Sequence, residues 1–193
     1  MFDVRRSSPF PLLLKTMKSP VSPTTTLVKT ELDSGLLAYH CPESDGHYLP
    51  VESYWRWLAK QPERLAKLPP SGEDLPEEVE PTTTRLCPES NLPMLRYKVG
   101  HGFSFAIDRS PTGGLWFDRG EWEALRVHNL HDELHLIFTL PWQNKVRRAE
   151  KEERLQQLLR ERIGDEAFQK TITFRNWLAT QPDKSPILAL LNE

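Results

Sequence analysis

The string Cys41-Pro42-Glu43-Ser44 recurs as Cys87-Pro88-Glu89-Ser90, and each copy lies inside a longer segment of matching layout. Internal repetition constrains a fold more than composition does, because every copy must close into the same local structure. One copy spans residues 19–58 and the other 87–128. Their positions correspond in order: Ser19-Pro20 with Cys87-Pro88, Gly35 with Gly102, Cys41-Pro42 with Ser110-Pro111, and Tyr48-Leu49-Pro50 with Trp116-Phe117-Asp118. Alternating apolar segments, Leu27 to Leu32 and Phe103 to Ile107, predict strands joined by glycine turns. Each copy then closes on a short helix carrying tryptophan, Glu52 to Leu58 in the first and Arg119 to about His128 in the second.

The remaining segments differ in character. Residues 59–86 are rich in proline and acid and poor in large apolar groups, which predicts a linker or long surface loop. Residues 1–18 precede the repeat, and Met1 to Thr16 match nothing in it. Arg5 and Arg6 precede a short apolar stretch, Phe10 to Leu14, but Pro9 and Pro11 interrupt it and no small-residue cleavage site follows. This segment is expected to be a disordered tail or an upstream extension, with Met17 as an alternative start. Residues 129–193 read as helical. Lys145 to Ile163 places Leu155, Leu158, Leu159 and Ile163 on one stripe of a charged helix. Gly164 stops that helix, and Asp165 is expected to cap a second one, which carries Phe168, Ile172, Trp177 and Leu178 and halts near Pro182. A last helix begins at Ser185-Pro186.

The stretch Ile107-Asp108-Arg109-Ser110-Pro111-Thr112-Gly113-Gly114-Leu115-Trp116-Phe117-Asp118-Arg119-Gly120-Glu121-Trp122 follows a pattern close to I-D-x-C-P-x-C-G-G-x-W-L-D-x-G-E-L. In order and spacing it resembles the bacterial zinc-ribbon family of the transcription factor IIB type. The resemblance implies four ligand positions per unit. They fall on Ser19, Ser22, Cys41 and Ser44 in the first, and on Cys87, Ser90, Ser110 and Gly113 in the second, where the fourth is either Gly113 or deleted. Only Cys41 and Cys87 are cysteines.

Zinc in such sites needs four tetrahedral ligands, normally thiolates, and a serine hydroxyl is not ionised near neutral pH. No metal and no cofactor is therefore expected. Structural zinc supplies roughly 10–16 kcal/mol in small fingers, and a domain of fewer than about 40 residues seldom folds without such a staple. Apolar fusion is the expected substitute, with Trp55, Trp57, Phe103, Phe105, Trp116, Phe117 and Trp122 joining both units in one core, each worth roughly 1.5–3 kcal/mol when buried. The expected fold is α+β: two degenerate ribbon-like β units with short helices, fused into one body, then a C-terminal helical segment.

Other constellations have plainer readings. His40 and His47 flank Cys41 and could join Cys87 in a shared zinc site, but a cytosolic cysteine more often serves as a small buried hydrophobe. His128, His131, Asp132 and His135 cluster in the string HNLHDELH, the best place for a hidden metal-dependent hydrolase. The protease signature H-E-x-x-H is missed because Asp132 follows His131. Leu130, Leu134 and Ile137 explain the segment as an amphipathic helix. The basic run Lys145 to Lys151 is interleaved with Glu150, Glu152 and Glu153, so it reads as a solvated face.

No convincing catalytic residue emerges. A formal net charge of -2 disfavours nucleic acid as a general partner, and no apolar run is long enough to span a membrane. With two cysteines and no oxidising signature, the chain is expected in the cytoplasm. The sequence points to a nonenzymatic protein-interaction or scaffold module whose partner is another protein or a second copy of itself in a homodimer. A nucleic-acid-binding role in transcription is the alternative that the family resemblance implies, and a cryptic metal hydrolase is the third.

Overall fold

The computed structural model describes residues 16–62, 83–100 and 102–191. In the first repeat, β1 (Val28–Asp33), β2 (Leu36–His40) and β3 (His47–Leu49) form an antiparallel meander followed by α1 (Val51–Leu58). In the second, β4 (Leu95–Gly100), β5 (Phe103–Arg109) and β6 (Leu115–Phe117) do the same, followed by α2 (Glu121–Val127). The hairpin turns use Gly35 at φ 75° and Gly102 at φ 91°, a left-handed conformation that costs glycine least.

The two meanders join through their short third strands into one six-stranded antiparallel sheet of order β1-β2-β3-β6-β5-β4. At the junction Tyr48 faces Trp116, flanked by His47 opposite Phe117 and Leu49 opposite Leu115. This register is its own mirror, so the repeats are related about the Tyr48–Trp116 pair.

Alternation along the strands sends neighbouring side chains to opposite faces, which gives the sheet two cores. On one face Leu49, Leu115 and Phe117 pack with Tyr54 and Trp57 of α1 and with Trp122 and Leu125 of α2. On the other, Tyr48 and Trp116 pack with Leu27, Met94 and both cysteines. Of the aromatics expected in one shared core, Trp57, Phe103, Phe105, Phe117 and Trp122 are buried on the helix-covered face and Trp116 on the opposite one, whereas Trp55 is 48% exposed. Helical spacing explains the exception. Tyr54 and Trp57, three residues apart, take the inner face of α1, and Trp55 between them is turned out.

Several boundaries move. Lys18, assigned to the tail, forms an antiparallel bridge with Thr26, and Leu86, assigned to the linker, pairs with Pro93. Residues 1–15 and most of the linker lie outside the described residues. The first compact unit continues past residue 128 and ends at Gln143. The expected amphipathic helix through the histidines does not form. Asn129 turns left-handed at φ 56° after α2, and only the short α3 (Leu134–Ile137) follows.

The second compact unit begins at Asn144 and holds most of α4 (Leu140–Ile163), with α5 (Asp165–Ala179) and α6 (Ser185–Leu190). Gly164, at φ 83°, ends α4 and itself occupies the N-cap of α5, so Asp165 lies in the first turn instead of capping it. The Arg160 guanidinium lies 5.0 Å from the ring of Phe168, the buried aromatic of α5. Among the described residues no helix is long and apolar enough to cross a membrane.

Candidate functional site

The ligand positions implied by the resemblance form two hydrogen-bonded knuckles. In the first, Ser19 Oγ accepts from the backbone N–H of Val21 (3.3 Å) and Ser22 (3.2 Å). Cys41 N–H donates to Gly46 O at 2.8 Å, and Cys41 O accepts from Asp45 N–H at 2.9 Å. Burial raises the Cys41 thiol, but hydrogen bonds from the side chains of Ser19 and Ser44 and from the backbone of Ser44 and Glu43 outweigh it and hold the thiol below its ordinary value. Ser19, Cys41 and Ser44 thus converge, and Ser22 enters through its backbone.

The second knuckle is built likewise. Burial pushes the Cys87 thiol up, yet hydrogen bonds from Ser110, Ser90, Tyr48 and the Ser90 backbone bring it down to about 7. Ser110 Oγ accepts from Thr112 N–H at 3.1 Å and lies 2.7 Å from Thr112 Oγ1. Its turn is one residue tighter. Ser110 O accepts from Gly113 N–H, whereas Cys41 O accepts from the residue four positions on, Asp45. Gly113 therefore takes the place of Asp45, and the second unit has no counterpart of Ser44.

Each knuckle is closed by an aromatic side chain of the other repeat. The Tyr48 hydroxyl lies 3.3 Å from Cys87 Sγ and donates to Glu89 Oε2 at 2.9 Å. Tyr48 also covers Gly114, where a Cβ would fall 2.0 Å from its oxygen. Trp116 covers Gly46, where a Cβ would fall 2.3 Å from Cζ2. Glycine is required at both places by this close approach.

Behind the second knuckle lies a part-buried ionic network that no local sequence pattern announces. Arg85 donates from Nη1 to Asp108 at 2.6 Å and from Nη2 to Asp118 at 2.9 Å, and Arg96 lies 3.4 Å from Asp108. Trp116 Nε1–H donates to the other oxygen of Asp118 at 2.9 Å. Burial raises the Asp108 carboxyl despite both arginines. Glu121, which accepts from Asp118 N–H at 2.8 Å, is pushed up to about 8 by burial and by the neighbouring Asp118 charge. Two guanidinium groups thus face two carboxylates, and the third carboxyl is held protonated at neutral pH.

The histidine cluster is dispersed. His131 is buried against Trp57 and Trp122, with ring centroids 5.9 and 6.1 Å away, and burial lowers its pKa. His135 Nδ1 lies 3.1 Å from the Tyr54 hydroxyl, which donates to Asp132 O at 2.8 Å. His128 Nδ1 lies 3.0 Å from Ala124 O. Near the first knuckle, His40 bonds Asp45 at 2.8 Å and its ring stands 4.9 Å from that of His47. Cys41 and Cys87 are both free thiols. Among the described residues, no three histidine, cysteine, aspartate or glutamate side chains gather where they could hold a metal ion.

No family model, no curated protein and no solved structure matches the chain.

Proposed function

We propose that the chain is a nonenzymatic protein-interaction module, built on two metal-free ribbon-like repeats and presenting its C-terminal helices as the contact surface. The observation that carries this reading is the apolar surface of the second compact unit. Leu155, Leu158, Leu159 and Ile163 on α4, and Phe174 and Trp177 on α5, are all exposed. Large apolar side chains left exposed in rows on a helix favour an interaction role for that surface. The β unit supports the same reading from the other side. Its thiols, carboxyls and central aromatics are engaged with one another, which favours a structural role for them over a catalytic one. Two unpaired cysteines favour a reducing compartment, and the cytoplasm is the location that goes with this reading.

The test is stripe-dependent complex formation by the full chain. Leu158→Glu and Trp177→Glu should abolish a complex of defined stoichiometry, self or heterologous, without altering the circular dichroism spectrum. A chain that forms no such complex and instead shifts DNA or RNA in a salt-sensitive way sinks the proposal.

A further inference from the structure

We infer that the partner of α4 is a second copy of α4, packed antiparallel about Gln157; this rests on the reading of the C-terminal helices as a contact surface. On a helix, Leu155 and Leu159 stand at the centre of one stripe, with Leu158 and Ile163 at its edges. Glu152 and Arg162, both exposed, lie in line with that stripe at its two ends. In heptad terms Glu152 and Leu159 share one seam position, while Leu155 and Arg162 share the other. Arg160, which reaches Asp165 and Phe168 of α5, points away from this seam.

An antiparallel pair brings the first kind of seam position against the second. The layers then read Glu152 against Arg162, Leu155 against Leu159, Leu159 against Leu155, and Arg162 against Glu152. Each layer is centred on Gln157, so one two-fold axis satisfies all four. Leucines meet in the middle, and a pair of opposite charges closes each end. A parallel pair would set Glu152 against Glu152 and Arg162 against Arg162, which like-charge repulsion disfavours. A seam of two heptads belongs to the size class of weak association, below about 1,200 Å². The dimer is therefore concentration-dependent.

The experiment is sedimentation equilibrium of the full chain with a charge-swap cycle. Wild type should show a reversible monomer–dimer equilibrium. Arg162→Glu and Glu152→Arg should each weaken it by at least about tenfold. The double variant Glu152→Arg with Arg162→Glu should return to within about threefold of wild type. All these positions are exposed, and circular dichroism checks that the variants stay folded. A wild-type chain that remains monomeric while it still captures another protein through the stripe overturns the dimer and leaves the interaction reading standing. A dimer indifferent to either single reversal, or one not restored by the swap, overturns the antiparallel α4 seam. A monomer with no stripe-dependent complex overturns both.

Discussion

Met17 and Arg85 hold the same place in the two repeats: the carbonyl of each accepts from the residue entering the following hairpin, Leu27 or Met94, at 2.9 Å in both cases. Tyr39 and Asp108 are equivalent in the same way, since each lies opposite the central aromatic of its own meander, Tyr48 or Trp116. The first repeat fills these places with apolar side chains packed on the core that holds both cysteines. The second fills them with an arginine clamped between carboxylates. One backbone plan is therefore closed by packing on one side of the axis and by ions on the other. Packing is indifferent to pH. The ionic closure carries a desolvation cost and must answer to every proton it gains or loses.

The largest effect should come from breaking what the halves share. Trp116→Ala and Tyr48→Ala each remove a fully buried aromatic from the junction and should cost about 3–5 kcal/mol in denaturant unfolding. Because each side chain closes the opposite knuckle, the whole β unit should still unfold in one transition at lower denaturant. Two separate transitions, one per repeat, would show that the halves are independent.

Next comes the ionic half. Arg85→Met copies the first repeat into the second at one position only, leaving the buried Asp108 and the half-buried Asp118 without their main partner. The expected loss is about 3 kcal/mol. Met17→Leu at the equivalent apolar place should change stability by less than about 1.5 kcal/mol. Equal losses at the two positions would erase the proposed difference between the repeats.

Much of the repeat was legible. Strand alternation, the turn glycines, the tryptophan helices and the correspondence of Tyr48 with Trp116 are all local patterns, and they reappear in the fold. What could not be read is what depends on the third dimension. Arg85 sits at the end of a proline-rich, acidic segment, and nothing local reveals that its partners lie on β5 and just beyond β6. Its position two residues before Cys87 was the available signal. Trp55 was expected in the core because it is a tryptophan, but helical spacing had already given the inner face to Tyr54 and Trp57. Apolar periodicity predicts one helix through the histidines, because a left-handed Asn129 leaves no mark on it.

A smaller, pH-dependent effect separates the halves without disrupting either. Glu121 is raised from 4.5 to about 8 in the folded chain. The folded state therefore holds its proton where the unfolded chain has released it, and stability falls as pH rises from about 4.5 to 8. From this group alone, the wild type should be about 2 kcal/mol more stable at pH 5 than at pH 7. His131 works in the opposite direction, because its lowered pKa removes stability as pH falls below the ordinary histidine value. The comparison must therefore be made against Glu121→Gln, measured by urea unfolding at both pH values. The wild-type curve minus the variant curve should slope downward with pH, and a flat difference would mean that Glu121 is ionised in the fold.

The smallest effect concerns the two thiols. The single Tyr48 hydroxyl proton of the opposite repeat is within reach of both Glu89 Oε2 (2.9 Å) and Cys87 Sγ (3.3 Å), so it can turn to the thiolate once Cys87 ionises, whereas Trp116, the equivalent of Tyr48, gives its N–H to Asp118. The donors that lower Cys41 come instead from its serines and the local backbone. Cys87 is lowered from 9.0 to about 7, so its thiolate contributes stability that is full above pH 9 and is lost as pH falls through 7. In a Cys41→Ser background, which leaves Cys87 as the chain's only thiol, thiolate ultraviolet absorbance should titrate with a midpoint near 7. Tyr48→Phe deletes one donor while keeping the ring over Gly114. It should raise that midpoint and cost about 1 kcal/mol above pH 9. The same substitution in a Cys87→Ser background should leave the Cys41 midpoint where it was, because the tyrosine hydroxyl reaches the second knuckle and not the first. If Tyr48→Phe moved both thiols or neither, the hydroxyl would not be what distinguishes them, and the serines alone would have to account for the low value at Cys87.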